Sequence, residues 1–159
     1  MKYFWSIFLL GAICSGSNGR GYPPVQTVAV EQFGYGVQRT MSLLAASTPE
    51  RRETVKILFY GQSITEQAWW RSVTNYLWMQ FPDANLIVKN RAIGGYGADL
   101  MVRAAESDLF PFYPDLVIFQ VYGSLSAYES LIRNIRERTT SEILIQTDHV
   151  TLDDELGEE

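Results

Sequence analysis

The sequence holds one cysteine, Cys14, and one histidine, His149. A lone thiol excludes an intrachain disulfide, and one imidazole with one thiol cannot assemble the ligand set of a zinc site, so neither a metal nor a cofactor is expected. Basic residues are scarce as well: 13 Lys and Arg stand against 18 Asp and Glu, a formal charge of −5, and no basic stripe occurs. Such a surface lacks the phosphate-neutralising contacts that carry nucleic-acid affinity, so no nucleic-acid partner is expected. Long apolar runs are missing too. Residues 3–14 are the nearest candidate, and they are too short for an ordinary transmembrane helix.

Those first residues have a different reading. Lys2 gives a short positive start, residues 3–14 an apolar centre, and Ser15, Gly16, Ser17 and Gly19 a run of small residues. That order is a secretory signal peptide over 1–19, which implies a secreted or periplasmic protein without stable membrane insertion. Ile13 stands where a lipoprotein signal needs a small residue, so lipid anchoring at Cys14 is not expected. At the other end, Asp153, Asp154, Glu155, Glu158 and Glu159 read as a solvated acidic end.

Between the ends, a chain that is 47% hydrophobic over 159 residues can bury a core of domain size. Residues 20–53, with Pro23-Pro24 and Gly34-Tyr35-Gly36, read as an N-terminal extension over the domain, in which 40–47 is either a strand or a short helix. From residue 54 to 159 the pattern alternates. Strands are predicted at 55–60, 85–89, 115–122 and 142–146, and helices at 66–80, 98–107 and 127–138. Strands separated by helices of this length imply crossover connections and a parallel sheet covered on both faces, an α/β/α three-layer sandwich. On the first helix Trp69, Val73, Tyr76, Leu77 and Gln80 share a face, and on the last Leu131, Ile132 and Ile135 do, leaving Arg133, Arg136 and Arg138 wet.

In a parallel sheet the loops after successive strands meet at one edge, and chemistry gathers there. Three turns qualify: Gly61-Gln62-Ser63-Ile64-Thr65, the stretch Asn90-Arg91-Ala92-Ile93-Gly94-Gly95-Tyr96-Gly97, and Tyr122-Gly123-Ser124. Ser63, between a buried strand and a helix start, is the candidate nucleophile; the plain alternative is a helix N-cap. The glycine-rich turn is not a dinucleotide fingerprint, because Leu100 stands where a glycine or alanine is needed and the turn does not follow the first strand. Exposed backbone N–H groups for an oxyanion are the better reading.

These motifs resemble the SGNH or GDSL hydrolases, serine esterases and lipases with a flavodoxin-like sheet. Gly61-Gln62-Ser63 is similar to the first block of that family, with Gln62 in place of Asp, and Asn90 followed five residues later by Gly95 is similar to the second. The resemblance spans roughly 54–147 and implies Ser63 as nucleophile, the N–H groups of Gly95 and Ser63 as oxyanion donors, and Gln62 and Asn90 beside the substrate. The substrate it implies is an ester, an acylated small molecule or carbohydrate.

Two blocks depart from the family pattern. The third lacks its Asn, and Ser124 or Leu125 takes that place, of which only Ser124 offers a hydroxyl donor. The last block, Asp-x-x-His, is missing: His149 has Asp148 adjacent rather than three residues before it. The expectation is a domain truncated after its fourth family strand, with the general base further along and His149 the alternative base. A secreted binding module that keeps the fold without the chemistry is the second reading.

Overall fold

Thr54–Gly61 forms strand β1, whose side chains from Val55 onward are buried except for the half-buried Lys56, as expected of a central strand covered on both faces. The computed structural model describes residue 32 and residues 34–146, all within one compact unit, Thr27–Val150. Beside β1 lie β2 (Asn85–Asn90) and β3 (Leu116–Gln120), and β4 (Glu142–Ile145) pairs with β3. All pairings are parallel and the order is β2-β1-β3-β4, with Phe59 opposite Asn90 and Gly61 opposite Gln120.

Helices fill the two faces. Alternation along β1 sends Val55, Ile57 and Phe59 one way, where they meet Leu44 of α1 (Gln38–Ala45) and Trp69, Trp70, Val73 and Leu77 of α3 (Trp69–Gln80). Leu58 and Tyr60 go the other way. There they join Met101 and Ala105 of α4 (Ala98–Asp108) and Leu131 and Ile135 of α5 (Leu125–Arg138). Tyr60 donates its buried hydroxyl to the Met101 carbonyl at 2.7 Å, and burial, with the Asp108 charge second, pushes its phenol well above the ordinary tyrosine range.

The structure decides or corrects several expectations. Residues 40–47 are mostly helix: the α1 N-terminus gains an acceptor from across the sheet, because the Glu142 carboxylate takes the N–H groups of Arg39 and Thr40 at 2.7 and 2.8 Å. The helix expected over 66–80 is two helices, α2 (Ser63–Glu66) and α3, with Gln67 extended between them. Trp69 stabilises that break by donating its indole N–H to the Ile64 carbonyl at 2.6 Å. On α3, Tyr76 and Gln80 face solvent, contrary to their expected place in the apolar stripe, and Thr74 is buried instead. Strand β3 stops at Gln120 rather than at residue 122, since Gly123 at φ +113 turns the chain toward α5. Arg138 is exposed but paired, its guanidinium on the Glu106 carboxylate and over the Phe110 ring. Strand β4 lies at the edge of the sheet, with Leu144 and Ile145 exposed.

Candidate active site

The end of β1 is built around a close approach. A Cβ on Gly61 would stand 2.2 Å from the Gln120 carbonyl oxygen and 2.6 Å from Thr65 Oγ1, so only glycine fits between β3 and the returning chain. The backbone then extends through Gln62, whose carbonyl accepts the Glu66 N–H at 2.9 Å and starts α2. Ser63 is the first residue of that helix and is exposed, while its neighbours Gln62 and Thr65 are buried. The turn thus presents one hydroxyl outward from a packed base.

The loop after β2 is fastened to the same place. Arg91 N–H donates to the Phe59 carbonyl and Ile93 N–H to the Gly61 carbonyl, each at 2.9 Å. Asn90 Nδ2 donates to the Thr65 carbonyl at 2.7 Å, and its Oδ1 accepts the Ala92 N–H at 2.8 Å. Both ends of this amide are used inside the protein, so Asn90 shapes the loop. Gly94 lies against Ser63: a Cβ built there would be 3.9 Å from Ser63 Cβ. Gly95 follows at φ +79, exposed, and its N–H and that of Ser63 have no acceptor among the described residues. One hydroxyl and two N–H groups without an acceptor among the described residues stand on adjoining segments, an arrangement that can supply a nucleophile and an oxyanion hole but not the general base.

The third turn joins the second. Ala98 N–H donates to the Tyr122 carbonyl at 2.8 Å, and Gly123 packs against Gly97 and Ala98. Ser124 is the N-cap of α5: its Oγ accepts the Ala127 N–H at 3.4 Å and lies 2.8 Å from Ser126 Oγ. All three turns therefore meet at one sheet edge as the topology implied. Gln62 is buried, and its Nε2, Thr65 Oγ1 and both ends of the Gln120 amide have no partner among the described residues. Among the described residues no three His, Cys, Asp or Glu side chains gather as metal ligands would. His149, Asp148 and residues 1–19 lie outside the described residues.

One participant escaped the sequence reading. Glu66 Oε2 accepts the Gly94 N–H at 3.1 Å, linking the helix of Ser63 to the glycine loop. The available signal was the i, i+3 spacing of Ser63 and Glu66, which puts both on one side of a helical turn.

No family model and no curated protein matches the sequence. Solved structures do. A two-domain esterase active on acetylated mannans superposes with a TM-score of 0.60 at 26% identity, over 70% of this chain and 33% of that one. The fold of this chain is similar to that of SGNH/GDSL-type esterases. Axe2, an acetylxylan esterase from Geobacillus stearothermophilus, matches with a TM-score of 0.52 at 18% identity, over 57% of this chain and 58% of that one. A GDSL-like protein from Parabacteroides merdae matches with a TM-score of 0.50 at 17% identity, again over 57% and 58%. The matched parts share the α/β fold of four parallel strands with flanking helices, and this chain spans a third of the mannan esterase and somewhat over half of the other two. No helix among the described residues is long and apolar enough to cross a membrane.

Proposed function

We propose that this chain carries the nucleophile of a secreted or periplasmic serine ester hydrolase that removes acetyl groups from a carbohydrate. The observation that carries the reading is the exposed Ser63 hydroxyl against the Gly94-Gly95 loop, with the N–H groups of Ser63 and Gly95 uncommitted. Ser63 Oγ attacks the ester carbonyl carbon as a histidine takes its proton, and the N–H groups of Ser63 and Gly95 hold the oxyanion. Collapse expels the sugar alkoxide, which receives that proton, and leaves an acetyl-serine. Water then attacks the acetyl group, releasing acetate and restoring Ser63. The carbohydrate preference rests on the likeness to the mannan esterase.

Acetate release from acetylated manno- and xylo-oligosaccharides tests this, comparing the protein with its Ser63→Ala and His149→Ala variants. Ser63→Ala is expected to abolish release; His149 is the one histidine of this sequence, and a loss in His149→Ala as complete as in Ser63→Ala would make it the base. Release that survives Ser63→Ala contradicts the reading, and sugar binding without any release favours the binding module.

A further inference from the structure

Glu66 stands at the end of the same helical turn that Ser63 begins, and its carboxylate crosses to the oxyanion loop. The contact is close: a Cβ on Gly94 would stand 2.7 Å from Glu66 Oε2. The other anchors of the loop fall elsewhere. Asn90 closes residues 90–92, Ile93 N–H is tied to Gly61, and the next tie is Tyr96 N–H to the Ile93 carbonyl at 3.2 Å. Between Ile93 and Tyr96 are two consecutive glycines, the most permissive backbone available, with Gly95 already at φ +79. Among the described residues Glu66 supplies the one hydrogen bond that fixes this pair, through the N–H of the residue immediately before Gly95.

We infer that Glu66 is a positioning residue that aims the Gly95 N–H at the oxyanion by holding Gly94. The inference rests on the ester-hydrolase reading of Ser63 and Gly95. Glu66 serves as an acceptor here, and its negative charge opposes the developing oxyanion. A neutral acceptor of the same length should therefore serve as well or better. A carboxylate acting as base to Ser63 would behave otherwise, since an amide cannot take the proton.

The test combines p-nitrophenyl acetate kinetics with amide hydrogen exchange at Gly94 in the wild type and in Glu66→Gln, Glu66→Ala and Ser63→Ala. Glu66→Ala is expected to lower kcat about 10- to 100-fold with KM within about twofold, below the full loss of an oxyanion donor, and to raise Gly94 exchange about tenfold or more, the amide having lost a charge-assisted bond. Glu66→Gln is expected to keep both near wild type. Unchanged Gly94 exchange in Glu66→Ala, or a Gln variant as impaired as the Ala variant, overturns the inference. Ser63→Ala should end turnover and leave Gly94 exchange as in the wild type. If Ser63→Ala does not end turnover, the hydrolase reading fails, and the exchange data still decide whether Glu66 holds the loop.

Discussion

Asn90 bridges the two segments of the site: its Nδ2 donates to the Thr65 carbonyl at 2.7 Å while its Oδ1 closes on the Ala92 N–H at 2.8 Å. This amide thus ties the helix that carries Ser63 to the start of the loop that carries Gly95, beside the Glu66 contact further along. Asn90→Ala removes both bonds and is expected to cost about 1–3 kcal/mol. Asn90→Asp keeps the acceptor but turns a carboxylate oxygen toward the Thr65 carbonyl, so it should be no more stable than Asn90→Ala. Urea unfolding of both variants checks this, and kcat should fall in each.

Gly61 gives the second prediction. The Cβ of Gly61→Ala would lie 2.2 Å from a backbone oxygen of β3, and β3 is fully buried and cannot withdraw. We expect destabilisation of about 3 kcal/mol, the upper end of ordinary overpacking, measured as a lower urea midpoint. Gly94→Ala makes a useful contrast. Its Cβ meets the far end of the Glu66 side chain, which can move, so stability should change little while turnover drops.

Acid should loosen the tie between α1 and β4. Burial alone would raise the Glu142 carboxyl, but hydrogen bonds from Thr40 and Arg39 and the Arg39 charge outweigh it and hold the group below the ordinary glutamate value of 4.5. A depressed carboxyl stabilises the fold above its unfolded-state value, and that contribution is lost as pH falls through the folded value. Stability from urea unfolding should therefore decline below about pH 4.5, and Glu142→Gln should flatten that decline. Parallel curves for the two proteins would contradict the assignment.

Much of this was legible in the sequence for physical reasons. The central strands β1 and β3 read as apolar runs because both of their faces are covered, and the parallel topology then brings the turns at Ser63, Gly95 and Ser124 to one edge. Helix rotation was less legible. Thr74 can be buried because its hydroxyl donates back to the Trp70 carbonyl at 2.8 Å, and Trp69 and Trp70 both reach Phe59, with ring centroids 5.4 and 6.1 Å away. A periodicity count cannot see a self-satisfied threonine, so it placed Tyr76 inward instead. Glu66 was invisible for a related reason. Its meaning depends on a loop 28 residues further along the chain, and an acidic residue in a short helix carries no such mark.

The most direct measurement is the site of covalent labelling by a fluorophosphonate, mapped by peptide mass spectrometry. A single adduct is expected on Ser63, lost in Ser63→Ala and slowed in Asn90→Ala. Labelling on another serine, or labelling that persists in Ser63→Ala, would contradict the assignment of Ser63 as the nucleophile.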